Sequence, residues 1–207
     1  MKHAVTELEI LKLIKDGMKE IVLSENDILT PLAIDRIKSS DLAIREISGD
    51  AARGELKKII IGCDHTGLAA KKEIIEQLKK RMFDVLDVGT YNESSVDYPD
   101  IAFNVASRVA KKEFSFGIII DATGIPSAIT ANKIPRIRAA TCYNEFSAKS
   151  SREHNDANIL VLGAKALETE TLKKIVDVWL ESKFLGDRHQ RRLDKIKSIE
   201  EKYSKKI

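Results

Sequence analysis

A chain of 207 residues is long enough for one full domain with a small appendage. Its 43% hydrophobic and 32% charged residues describe a globular protein and exclude a disordered or fibrous one. The net charge of +3 divides into −3 over residues 1–56 and +6 over residues 57–207, so the larger part attracts small phosphorylated ligands. Its basic residues lack the aromatic partners of a nucleic-acid motif.

At the N-terminus, Glu7, Glu9 and Asp16 interrupt the stretch where a leader's apolar core would sit. Leu8, Leu11, Ile14, Met18, Ile21 and Val22 recur at spacings of three and four, which predicts an amphipathic helix. Thr30-Pro31 reads as a cap with proline at the first helical position, opening a second helix or helix-turn through Leu32, Ile34, Ile37, Leu42 and Ile44. Residues 1–56 are thus expected to be a helical extension with too little core to stand alone. They end in a linker at Ser48-Gly49-Asp50-Ala51-Ala52-Arg53-Gly54.

Beyond the linker, strands and helices alternate. Strands are expected over 58–62, 84–88, 117–120, 137–142 and 158–162, and helices over 68–80, 101–111, 125–133, 146–152 and 169–180. A charged helix follows from Arg188, with Leu193, Ile196 and Ile199 on its apolar face. Strands apolar on both faces between helices predict a five-stranded parallel sheet in a Rossmann-like three-layer sandwich. No internal repeat stands out, and no apolar run approaches the roughly 18–20 residues of a membrane span. Cys63 and Cys142 form no Cys-x-x-Cys pair, which fits a reducing, cytoplasmic setting.

In such a sheet, ligands bind beyond the carboxyl ends of the strands. The first strand is followed by Cys63-Asp64-His65-Thr66-Gly67 and the third by Asp121-Ala122-Thr123-Gly124, each opening a helix. Arg152-Glu153-His154-Asn155-Asp156 precedes the fifth. Taken singly, these residues are as well read as helix caps and turn formers. The histidines lack the spacing of a zinc motif, so no metal is expected.

Together the motifs are far more specific. Cys63-Asp64-His65, Asp87-Val88-Gly89-Thr90-Tyr91, Val96-Asp97-Tyr98-Pro99, Ala131-Asn132-Lys133, Ser151-Arg152-Glu153-His154-Asn155-Asp156-Ala157-Asn158 and Gly186-Asp187-Arg188-His189-Gln190-Arg191-Arg192 resemble the type B ribose-5-phosphate isomerases and the related galactose-6-phosphate isomerase subunits. The resemblance runs from about Lys57 to the C-terminal helix. It implies a sugar-phosphate isomerase domain over 57–207 that interconverts an aldose phosphate and its ketose without a cofactor.

By position, the resemblance gives His154 ring opening and puts Asp64 near the ring oxygen. Tyr98, Gly124, Asn132 and Asn155 would contact the sugar, and His65, Lys165, Arg188 and Arg192 the phosphate. It implies a homodimer or homotetramer with sites between subunits, while charge pattern and hydropathy predict neither a nucleic-acid nor a membrane partner.

One loop departs from the family pattern. Where relatives place a cysteine base, this chain has Asp121, oriented by Thr123, and Pro126 replaces a glycine. Either Asp121 is itself the base, or the chain is a weak or non-catalytic subunit that needs a cysteine-bearing partner. The N-terminal extension either packs on its own oligomer or docks Leu11, Ile14 and Met18 into a partner's groove. It resembles extensions on enzymes of bacterial microcompartments.

Overall fold

The computed structural model describes residues 3–18, 20–24, 27–47 and 58–204, which fall into two compact units, Met1–Glu55 and Leu56–Ile207. The expected linker at 48–54 lies outside the described residues.

The smaller unit is not the helical extension that periodicity suggests. Its order is β1 (His3–Val5), α1 (Glu7–Lys15), β2 (Glu20–Ser24), β3 (Asp27–Leu29), α2 (Pro31–Lys38) and β4 (Ala43–Ile47). Helical spacing runs on past Lys15, but Gly17 takes φ +74°, a left-handed conformation that ends a helix. The apolar run Ile21-Val22-Leu23 behind it then pairs as a strand. β1 pairs with β3 and β2 with β4, both parallel, with registers His3↔Asp27 and Glu20↔Ala43.

The unit is therefore a two-rung repeat with an offset of about 24 residues, whose trace in the sequence, Thr6, Leu8 and Ile10 against Thr30, Leu32 and Ile34, is too short to stand out. Equivalent threonines cap both helices: Thr6 N donates to Glu9 Oε2 at 2.7 Å, and Thr30 Oγ1 accepts from Ala33 N at 3.3 Å. Arg36 on the second rung pairs with Glu7 on the first at 2.7 Å. Val5, Ile10, Ile21, Leu23, Ala33, Ile37 and Leu42 form its core, while Leu8, Leu11 and Met18 are exposed.

The larger unit follows the predicted alternation. Its strands are β5 (Lys58–Cys63), β6 (Asp84–Asp87), β7 (Phe116–Asp121), β8 (Ala139–Thr141) and β9 (Ile159–Gly163). Its helices are α3 (Leu68–Lys80), α4 (Tyr98–Ala110), α5 (Ile125–Ala131), α6 (Glu145–Glu153), α7 (Thr169–Glu181) and α8 (Asp187–Ser204). The sheet is wholly parallel in the order β6-β5-β7-β9-β8.

Alternate strand residues feed opposite cores. Ile59, Ile61, Ile118, Ile120, Leu160 and Leu162 pack with α3, α6 and α7, whereas Ile60, Ile119, Ile159 and Val161 pack with α4 and α5. Helices cover both faces, which is why these strands read as unbroken apolar runs. No described helix is long and apolar enough to cross a membrane.

Candidate active site

Because all five strands point one way, their carboxyl ends define an upper edge and their amino ends a lower edge. β5 delivers Asp64 to the upper edge. The Asp64 carboxylate accepts from Thr66 N at 2.8 Å and Thr66 Oγ1 at 2.6 Å, closing the turn that starts α3. Beside it, His65 keeps Nδ1 buried without a hydrogen-bond partner. Tyr98, exposed, opens α4 on the same side, where Ile101 one turn later packs over Gly62 near the end of β5.

β7 ends at Asp121, which is only 1% exposed. One carboxylate oxygen accepts from the amides of Thr123, at 2.8 Å, and Gly124; the other accepts from Ser127 N at 3.1 Å. The turn is held from outside as well. Thr141 Oγ1 donates to Gly124 O at 2.7 Å and the Tyr143 hydroxyl to Thr123 O at 2.9 Å. Position 163 must be glycine for the turn to lie here, since a Cβ would stand 2.6 Å from Thr123 O. Lys165 follows β9, its amide donating to Ala122 O at 2.9 Å.

A wall of this edge is pinned from below. Lys71 on α3 is 1% exposed and donates to Asp87 Oδ1 and to Thr90 O, each at 2.6 Å. The same Asp87 oxygen accepts from Gly89 N at 2.9 Å. Gly89 and Thr90 continue the ladder onto Cys63. Burial pushes the Cys63 thiol up to about 11, so it stays protonated at neutral pH.

The other sequence-selected residues gather at the lower edge. α6 runs down from the upper edge, so its C-terminal His154 and the following Asn155 lie near the start of β9. Arg138, just before β8, binds the carbonyls of Asn155 and Asp156 at 3.0 and 2.9 Å. Arg152 ties the same segment by bonds to Asp156 Oδ1 at 2.9 Å and Ala157 O at 2.6 Å. Asn132, capping α5, exchanges two hydrogen bonds with the backbone of Ala139 at the foot of β8.

α8 begins here too. The His189 ring stacks on the His154 ring, with centroids 4.3 Å apart and planes within 8°. Arg188 and Arg192 approach the two nitrogens of His189 at 3.4 and 3.5 Å. Ser150 Oγ lies 3.1 Å from His154 Nδ1. Burial, then the charges of His154, Arg188 and Arg192, lowers the pKa of His189.

A model of the ribose/galactose isomerase family matches residues 59–196. The chain belongs to this family. Ribose-5-phosphate isomerase B of Escherichia coli is 44% identical over 147 residues, which is 71% of this chain and 99% of that protein. A putative sugar phosphate isomerase of Rickettsia bellii is 49% identical over 67% of this chain and 96% of its own. Among solved structures, Clostridium thermocellum ribose-5-phosphate isomerase B superposes with a TM-score of 0.70 at 50% identity, covering 70% of this chain and 99% of that one. The Mycoplasma genitalium enzyme with bound ribulose-5-phosphate has a TM-score of 0.68 at 42% identity, covering 70% and 96%. The five-stranded parallel sandwich is thus the family's fold.

The structure brings the predicted residues together in two groups rather than one. Asp64, His65, Tyr98, Asp121, Thr123, Gly124 and Lys165 share the upper edge; Asn132, His154, Asn155, Arg188 and Arg192 share the lower. The five residues of β9 separate the groups, a span of about 16 Å. Among the described residues, no cluster of His, Cys, Asp and Glu is arranged to hold a metal.

Reading the sequence alone left Lys71, Arg152 and His189 without roles. Lys71 has a visible signal, a lysine at helical spacing with the buried Leu68, Ile74 and Leu78. His189 lies between two selected arginines, but only the fold stacks it on His154.

Proposed function

We propose that residues 57–207 form the catalytic domain of an aldose–ketose isomerase acting on ribose 5-phosphate and ribulose 5-phosphate, with residues 1–56 as an appended module. The observation that carries this reading is 44% identity along nearly the whole length of the Escherichia coli isomerase. The chemistry needs no cofactor, because a proton moves between adjacent carbons and no electrons leave the sugar.

Within this reading His154 opens the sugar ring, with Asp64 near the ring oxygen. Asn155 and Tyr98 contact hydroxyls, and Thr123, Gly124 and Asn132 line the sugar site. Arg188 and Arg192 grip phosphate with their planar donor forks, and His65 and Lys165 complete the grip as point donors.

A second copy of the chain completes the pocket in a homodimer or homotetramer. What supports this is the position of the two half-sites at opposite edges of one sheet, too far apart for a five-carbon sugar phosphate to touch both. Two buried cysteines fit a cytoplasmic setting.

The test is turnover by the purified full chain, with ribose 5-phosphate converted to ketose and followed by NMR beside a panel of six-carbon aldose phosphates. Ketose formed fastest from ribose 5-phosphate is the expected result. A chain inert on every sugar phosphate is not an isomerase.

A further inference from the structure

The isomerisation needs a base, and the sequence places Asp121 where relatives carry theirs. We infer that Asp121 is instead a positioning residue that holds the turn after β7, and that His154 moves the proton. This rests on the isomerase reading above.

The geometry separates Asp121 from the substrate. Its carboxylate is 1% exposed and turned into its own loop, where three backbone amides converge on its two oxygens. A base must come within hydrogen-bond reach of the proton that it removes. Asp121 offers no open face, whereas without it the amides of Thr123, Gly124 and Ser127 lose their partner. Ser127 Oγ, also fully buried, has no hydrogen-bond partner beside it.

Three other proton-carrying groups on the two edges are committed as well, though His65 is not, its Nδ1 having no partner. Asp64 is buried and caps its turn, the Cys63 thiol stays protonated, and His189 lies beneath His154 with positive groups on both ring nitrogens. His154 is only partly buried. Stacking on His189 and the contact with Ser150 set its ring plane, and no hydrogen bond among the described residues engages its Nε2. An imidazole is a competent proton carrier near neutrality.

From the ketose, His154 takes a proton from C1, the C–H pair becomes the C1=C2 bond and the carbonyl pair moves onto O2. The O1 proton then passes to O2, C2 takes the carried proton and C1=O forms. The atoms and electrons of the aldose balance those of the ketose.

Ring opening and proton transfer can be told apart, because ribulose 5-phosphate has its C5 oxygen esterified and cannot close a ring. Exchange of its C1 proton in D2O therefore reads the base alone. The full chain and its Asp121→Asn, Asp121→Ala, His154→Asn and His65→Asn variants are followed by NMR exchange, by Tm and by calorimetric binding of ribulose 5-phosphate.

In Asp121→Asn, which keeps an acceptor for the turn, exchange falls by less than about tenfold, while Asp121→Ala loses Tm and exchange together. In His154→Asn, exchange falls by roughly 10²-fold or more with binding retained. A loss of that size in Asp121→Asn at unchanged Tm makes Asp121 the base and overturns the inference. So does wild-type exchange in His154→Asn, or a loss confined to His65→Asn. If the wild-type chain neither exchanges nor turns over, the isomerase reading falls. The Asp121 assignment then stands if Tm is well below wild type in Ala but not in Asn, and falls if the two match.

Discussion

His189 is pressed from several sides, by the His154 ring on its face and by Arg188 and Arg192 at its nitrogens, with Asp187 the opposing charge. Its folded-state proton affinity is lowered, so below the ordinary histidine value of about 6.5 the unfolded chain binds more protons than the folded one. Stability contributed by neutral His189 is present above that pH and is lost as pH falls through its lowered folded value. Tm should therefore fall more steeply between about pH 7.5 and 5.5 in the wild type than in His189→Gln. Equal slopes would remove His189 from the acid response. For the neighbouring arginines, Arg188→Ala and Arg192→Ala should each weaken ribulose 5-phosphate binding by about 1.5–3 kcal/mol at unchanged Tm, measured by calorimetry. At this scale the sequence is most legible where a side chain's chemistry suffices, as for these arginines. It is least legible where direction decides, because nothing in the letters Asp121-Ala122-Thr123-Gly124 says that the carboxylate turns inward.

Among the elements, α3 shows how a helix can build a site that it does not enter. Its Lys71 holds the strand extension beyond β6 through Asp87 and Thr90, but the two ions are unequally buried, at 1% and 30% exposure. Removing Asp87 leaves an ammonium in the interior with one carbonyl for company, while removing Lys71 leaves a carboxylate that water reaches. Asp87→Ala should cost about 3–5 kcal/mol and Lys71→Met distinctly less, by urea unfolding. The reverse order would mean that water reaches Lys71 when the pair is broken. The same buried lysine marks a limit of pattern reading, since a charged residue on an apolar face is conventionally assigned to solvent. β5, β7 and β9 were legible because strands covered on both faces have no polar alternation to mistake. In the smaller unit, Leu8, Leu11 and Ile14 keep helical spacing with Ile21 and Val22 across Gly17. Period alone could not place the break, and pairing with β4 makes the second part a strand.

For the whole molecule, the division of the site between sheet edges predicts complementation. One variant lacks the lower half through Arg188→Ala with Arg192→Ala, and another lacks part of the upper half through His65→Asn with Asp64→Asn. Each should be nearly inactive alone. Unfolded and refolded together, half the dimers are mixed and each holds one site with both halves intact. Activity should recover to about a quarter of wild type. No recovery would place each site within a single chain. The module of residues 1–56 has its own core, so its deletion should leave a folded 57–207 that still binds ribulose 5-phosphate. Insolubility or lost binding would instead make the module part of the catalytic unit.

The ladder pairing of the smaller unit bears on how such a module is gained or lost. Each two-stranded sheet takes one strand from the first rung and one from the second, and the Arg36–Glu7 pair also crosses between them. Neither rung owns a sheet, so half the module is not half as stable; it has no paired strand at all. A gene truncated after the first rung would encode an unfolded tail rather than a shorter domain. Duplication of one βαβ segment, by contrast, supplies both partners of both ladders in a single event.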